Sequence, residues 1–156
     1  MDQERKFYLT KEGLEKLQKE YERLKTLKRA KAKSEAPSIL ESEDLNPEFV
    51  SYAEDLNFLE SRLLELEEIF KNVELIKIPP KAKRKYVDLG AKVTVEVNGK
   101  EDEFEIVGTL EADPSQGKIS NESPVGKGLL GHKVGDEIIV SSPVKTIYKI
   151  KKIRYG

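Results

Sequence analysis

FVSYAEDLNFLESRLLELEEIFKNV, residues 49–73, places apolar side chains at Phe49, Tyr52, Leu56, Leu59, Leu63, Leu66, Phe70 and Val73. The spacing alternates three and four without a break. An α-helix with that repeat carries one narrow apolar seam and must lay it against another helix. Leu14, Leu17, Tyr21 and Leu24 keep the same rhythm upstream. The two stretches predict a long antiparallel two-helix hairpin with a tip near Glu41-Ser42-Glu43-Asp44, a cluster of acids. A body that long and only two helices thick has little room for a pocket, so the seam aromatics read as core. What such a rod can do is carry charge into a place that a globular body cannot enter.

The helix ends are written in the flanking residues. Thr10 is a good N-cap, with Glu12 near the positive end of the helix dipole and Leu9 placed to pack over the entry. The first helix is expected from Lys11 to about Lys33. Pro37 interrupts it, because proline removes a backbone donor and crowds the preceding turn, and Ser38-Ile39-Leu40 could resume it briefly. Asn46-Pro47-Glu48 reads as a second start: Asn as cap, Pro at the first helical position, Glu in the first turn. The second helix is expected to reach about Glu74.

After the helices the period changes. Ile78-Pro79-Pro80-Lys81-Ala82-Lys83-Arg84-Lys85 reads as a linker stiffened by two prolines. Val93, Val95 and Val97 then alternate with polar residues, and Asn98-Gly99 is a strong hairpin turn. Glu103 to Val107 is the return strand, Asp113-Pro114-Ser115-Gln116-Gly117 a further turn, and Ile119-Ser120 opens a short strand. Ser123-Pro124 predicts a brief helix through Leu130. Glu137 to Ser141 and Ile147 to Ile153 close the sheet. The fold class is α+β: an N-terminal hairpin over residues 1–78, a linker over 79–86 and a small sheet domain over 87–156.

Composition narrows the function. Charged residues make up 37% of the 156, as do apolar ones, and there is no cysteine. Disulfides and thiolate metal sites are therefore unavailable. No run approaches the ~18 apolar residues of a membrane span, and the N-terminus has no signal-peptide core, so a soluble, cytoplasmic chain with no membrane partner is expected. Net charge is −1, but the charges are sorted. From Arg23 to Lys33 there are six bases and no acid; from Glu35 to Glu68 there are eleven acids and one base, Arg62.

Most enzyme chemistries lack their parts. His132 is the only histidine, in a Gly-His-Lys stretch that reads as a turn, and a general base needs a positioned partner. No glycine-rich loop joins a strand to a helix with the lysine that a phosphate site requires. What remains is Glu41, Glu43 and Asp44, with Glu48 in the first turn of the second helix. Magnesium takes oxygen ligands, often only one or two carboxylates, with the rest from water or substrate. A hairpin tip cannot cage the ion, but it can complete a site that another macromolecule half provides.

At this point a family resemblance enters. YLTKEGLEKLQKEYERLK, residues 8–25, resembles the opening helix of the bacterial Gre-type transcript cleavage factors. FEIVGTLEADPSQGKISNESPVGKGLLGHKVGDEI, residues 104–138, is similar to that family's signature around IVG, EADP, IS, SP and LLG. The resemblance covers nearly the whole chain. It implies a coiled-coil hairpin followed by an FKBP-like C-terminal domain that docks on RNA polymerase, with the hairpin tip reaching through the polymerase's secondary channel. It further implies that tip acids help hold a magnesium ion and position water, so that the polymerase cuts its own backtracked RNA. The chain would then be no enzyme and hold no cofactor of its own; the magnesium belongs to the polymerase active site. Its partners would be RNA polymerase and the nascent RNA 3′ end, and it would act as a monomer.

Carried over position by position, the resemblance places Asp44 on the family's aspartate, while Glu43 stands in place of its glycine; Glu43, Glu41 and Glu48 are the neighbouring acids that would share the tip roles, with Asp44 and Glu43 toward the metal. It implies an RNA-facing patch at Lys25, Lys28, Arg29, Lys31 and Lys33, and a polymerase contact at Ser123, Pro124, Val125 and Gly126. The tip departs from the family pattern. That pattern reads roughly GDLSENAEY, with a Glu three residues after the Asp, whereas this chain reads EDLNPEF over residues 43–49. A two-residue deletion between Leu45 and Asn46 accounts for the difference and removes the family's glutamate. Three outcomes stay open: Glu43 or Glu41 serves as the second acid, Glu48 serves, or the second role is lost and the protein binds the channel without cleavage. An FKBP-like prolyl isomerase or chaperone is the rival of another class; the few aromatics of the C-terminal domain (Tyr86, Phe104, Tyr148 and Tyr155) speak against an apolar pocket for it.

Overall fold

The computed structural model describes residues 5–34, 47–141 and 143–156. Leu14–Asn72 form one compact unit, and Val73–Gly156 with the residues before Leu14 form the other.

The first unit is helical. Helix α1 spans Lys11–Lys33 and α2 spans Pro47–Lys71. From Tyr21 onward the pairs between them run in opposite order: Tyr21 meets Glu67, Lys28 meets Glu60 and Lys31 meets Asp55. The helices are therefore antiparallel, as the seam predicts. At ~1.5 Å per residue, α2 is roughly 37 Å long. Its seam is graded. Leu59, Leu63 and Leu66 are buried with Leu24 of α1, each worth about 1.5–3 kcal/mol. Phe49, Tyr52 and Leu56, nearer the start of α2, are only half-buried. At the other end Ile69 is buried as well, and Phe70 sets its ring edge-on to Tyr21, centroids 5.5 Å apart. Pro37, the segment 38–40 and the Asn46 cap lie outside the described residues.

The α1 entry matches its reading: Thr10 Oγ1 accepts the Gly13 N–H at 3.0 Å. What precedes it is a strand that the periodicity does not show. Phe7–Leu9 (β1) pairs in parallel with Val73–Leu75 (β2), Phe7 opposite Val73 and Leu9 opposite Leu75. Helix α2 accordingly stops at Lys71, short of the expected Glu74, because 73–75 is drawn into this ladder. Both strands belong to the second unit, as does the basic segment 79–86.

That unit is built on a five-stranded sheet. Its strands are β3 (Lys92–Val97), β4 (Lys100–Val107), β5 (Lys118–Ser120), β6 (Glu137–Val140) and β7 (Thr146–Arg154), in the order β5-β4-β3-β7-β6. β4 and β5 are parallel and the other neighbours antiparallel. Asn98 and Gly99 both take positive φ, 52° and 78°, which a two-residue turn between β3 and β4 requires. The short helix α3 spans Pro124–Leu129 and packs Leu129 into the core with Val93, Val95, Ile106 and Ile150. The α+β class is the one observed. In β7 the alternation from Ile147 is broken. Thr94 pairs Lys152 while Val95 pairs Ile150, so Lys151 is an extra residue in the strand. The bulge puts Tyr148, Ile150, Ile153 and Tyr155 against the core and leaves Ile147 outside, 52% exposed.

Candidate functional site

The acids proposed for the tip, Glu41, Glu43 and Asp44, lie outside the described residues. The ends that frame them are described. Helix α1 closes at Lys33, where Ser34 Oγ donates to the Lys31 carbonyl at 2.7 Å. Helix α2 opens at Pro47, with Glu48 exposed in its first turn. A carboxylate there sits near the positive end of the α2 dipole. Among the described residues no group of three or more His, Cys, Asp or Glu is placed to hold a metal ion.

The five α1 bases of the expected RNA-facing patch are placed differently from one another. Lys31 Nζ donates to Asp55 at 2.9 Å and lies 5.2 Å from the Tyr52 ring centre, while the Tyr52 hydroxyl donates to the Lys31 carbonyl. Lys28 pairs with Glu60 at 3.7 Å. Lys25 stands over the Tyr21 ring, 5.2 Å from its centre. Arg29 and Lys33 are exposed and make no ion pair among the described residues. Lys28 and Lys31 occupy the positions seven residues after Tyr21 and Leu24, so they continue the seam. Their stems cover apolar surface while their heads reach acids of α2. The signal was in the sequence as a heptad continued by lysine instead of leucine. Lys25, Lys28 and Arg29 line one wall of a cleft of about 460 Å³ floored by Leu63 and Leu64.

Lower on the hairpin Arg62 grips Glu20 with two parallel bonds, 2.9 and 3.0 Å, and reaches Glu65 at 3.0 Å. The Arg62 hydrogen bond holds the Glu20 carboxyl below the usual carboxylate range. The Tyr21 hydroxyl donates to Glu67 at 2.8 Å, and that bond raises the phenol above its ordinary value.

In the second unit, Ser123 to Gly126 form the start of α3. Ser123 Oγ accepts the Gly126 N–H at 3.1 Å as N-cap and donates to the Ser120 carbonyl at 2.6 Å. Pro124 takes the first helical position, where its missing N–H costs nothing. Gly126 is buried, and a methyl group on it would lie 2.0 Å from the Ser120 oxygen. Val125 packs on the core. Of the four, Pro124 is the exposed one. His132 is not alone in its turn: Nδ1 lies 3.1 Å from Asp136, which also accepts the Lys133 N–H. The Lys133 N–H first, and the His132 bond second, hold Asp136 below its ordinary value.

Sequence reasoning missed Glu111. Its carboxylate accepts the Thr10 N–H and the Thr10 hydroxyl, bonds that cap the start of α1 from the far side of the sequence. A methyl at Gly13 would overlap that carboxylate. No local pattern links positions 10 and 111; the acidic residue in the EADP stretch was the one trace of it.

Comparison with known proteins joins these pieces. The family described as "Transcription elongation factor, N-terminal" matches residues 7–75, and "Transcription elongation factor, GreA/GreB, C-term" matches residues 81–155. Transcription elongation factor GreA of Thermomicrobium roseum is 40% identical, with 89% of this chain and 90% of that protein covered. GreA of Clostridium acetobutylicum is 43% identical, with 92% of each covered. A solved structure, that of the GreA factor homolog 1 protein of Thermus thermophilus, is 27% identical and covers 96% of this chain and 99% of its own, at a TM-score of 0.42. With both halves matched by the family and GreA relatives at 40% and 43% identity along nearly its full length, this chain belongs to the GreA/GreB family of transcription elongation factors.

Proposed function

We propose that this elongation factor binds RNA polymerase, enters its secondary channel with the helical hairpin, and stimulates the polymerase's own cleavage of backtracked RNA. The observation that carries the reading is the framed apex. Two antiparallel helices held by a seam and by cross-helix ion pairs end at Lys33 and Pro47, and the short stretch between them contains Glu41, Glu43 and Asp44. Carboxylate oxygens are the donors a hard cation takes, and the chain presents no cage of its own among the described residues. Magnesium in the polymerase active site would stabilise the attacking and leaving oxygens. The chain's share is to bring Asp44 and Glu43 to that ion, with Glu41 and Glu48 adding negative potential, and to hold them there on a stiff stem. The factor is thus not itself the nuclease. It works as a monomer in the cytoplasm, where the polymerase and the nascent RNA 3′ end are found. Lys25, Arg29 and Lys33 are the bases best placed to meet RNA phosphates, with Lys28 and Lys31 committed in part to α2 acids. Pro124, on the start of α3, is the exposed contact for polymerase.

A stalled elongation complex tests this. Added protein shortens the transcript and releases a 3′ fragment; Asp44→Ala abolishes the effect and Glu43→Ala weakens it. Full activity in both variants would remove the tip acids from the mechanism. The absent glutamate after Asp44 favours one second reading, a channel-occupying regulator without cleavage. Slowed elongation with no shortened RNA from the unaltered protein would select it.

A further inference from the structure

Between Glu74 and Asp88 the chain carries no acid and five bases: Lys77, Lys81, Lys83, Arg84 and Lys85. All five are exposed, and none makes an ion pair among the described residues. The segment is nonetheless ordered. Pro79 and Pro80 lead into a 3₁₀ turn over Lys81–Lys83, with Lys83 N–H donating to the Pro80 carbonyl at 2.8 Å. Arg84 Nε donates back to the Pro79 carbonyl at 2.8 Å. Tyr86 is tied twice: its backbone bridges to Lys133, and its carbonyl accepts the Tyr155 hydroxyl at 2.6 Å. Lys85 lies over the half-exposed Tyr86 ring, and Lys133 is a further exposed base beside it.

Like charges held this close repel, and nothing described in the fold neutralises them. An external polyanion would. Two chemistries compete for that role, a carboxylate-rich protein surface and a phosphate backbone. Four of the five bases are lysine, a residue depleted at protein–protein interfaces, while lysines and arginines in a row are what neutralise successive phosphates and release their counterions. An exposed aromatic among them suits a base or sugar face. We infer that residues 81–85, with Lys133, form a second nucleic-acid surface that follows a phosphate backbone and is separate from the basic stretch of the hairpin. The prolines and the Arg84 bond hold the bases in place beforehand, so little ordering remains to be done on binding. Neither the tip acids nor cleavage enters this inference, so a factor inert in cleavage shows it equally.

Fluorescence anisotropy of the full chain with a labelled DNA duplex and a labelled single-stranded RNA, across a potassium chloride series, tests it. The triple variant Lys81→Ser, Lys83→Ser, Lys85→Ser is expected to bind about ten-fold more weakly at low salt. Its log affinity against log salt should flatten by about 0.9 per lost duplex contact, or 0.7 on a single strand. Lys81→Arg, Lys83→Arg, Lys85→Arg keeps the charge and should keep the binding, and circular dichroism verifies the fold of each. Arg29→Ser with Lys33→Ser should retain the segment's share. The DNA and RNA arms show which nucleic acid is preferred. No binding by the unaltered chain, or a triple variant with unchanged affinity and slope, overturns the inference. So does a triple variant that still binds nucleic acid but no longer binds RNA polymerase, the outcome expected of a protein-facing patch.

Discussion

Ser123 uses its hydroxyl in both directions inside the fold, and Gly126 leaves no space for a side chain. Much of the stretch that carries the family resemblance is explained at this scale by packing alone. Gly108 stands where the Tyr8 carbonyl passes, so that a methyl there would meet its oxygen at 2.0 Å. Asp113 accepts the Ser115 N–H at 3.2 Å and so shapes the turn to Gly117, whose φ is 73°. Gly126→Ala must push the backbone of 120 aside. It should cost about 1–3 kcal/mol, the usual range for overpacking, read as a lowered midpoint in thermal or denaturant unfolding. Ser123→Ala removes the cap together with the bond to the Ser120 carbonyl and should cost about 1–2 kcal/mol. Equal and negligible effects would mean that α3 tolerates a shift the geometry does not allow. The exposed residue of the group, Pro124, has no comparable internal duty, which is why it remains the candidate contact.

At the scale of the element, the hairpin is held in two ways along its length. From Leu59 to Ile69 it is held chiefly by burial, with the Glu60 and Arg62 pairs alongside; from Phe49 to Leu56, opposite Lys31, it leans on the Lys31–Asp55 pair and half-buried rings. Exposed ion pairs contribute little each and are screened by salt, while burial is not. Rising potassium chloride should therefore speed amide exchange over residues 25–34 and 47–57 before it affects residues 59–69. Uniform exchange along the rod would contradict the graded seam. The Glu20–Arg62 pair makes a separate prediction. Because the folded carboxyl is held below its ordinary value of 4.5, its contribution is present above that value and is lost as pH falls through the folded one. Glu20→Gln should cost about 1 kcal/mol at neutral pH, and the gap to the unaltered protein should close below pH 4.5, measured by urea unfolding. The heptad was legible because one face of a helix repeats in the sequence. The lysines that continue it read in the sequence as part of an RNA-facing patch, since a charged seam position looks like a surface position until the partner helix is in place.

Across the whole molecule, docking and tip chemistry should separate in a cleavage assay on a stalled elongation complex. Pro124→Glu is expected to raise the factor concentration needed for half-maximal cleavage several-fold while leaving the plateau intact. Asp44→Ala is expected to abolish the plateau while the protein still competes for polymerase. A Pro124→Glu protein with an unchanged titration would move the docking contact elsewhere on the domain. By itself the sequence determined the two long helices, the hairpin turn at Asn98-Gly99, the α3 cap and the class of the fold, since each rests on spacing or on residues that are neighbours in the chain. Tertiary structure alone decided the β1–β2 ladder, the carboxylate of Glu111 over Thr10, the bulge at Lys151 and the engagement of Lys28 and Lys31. Those depend on which distant groups meet, and a carboxylate a hundred residues away leaves no period for a reader of the chain to find.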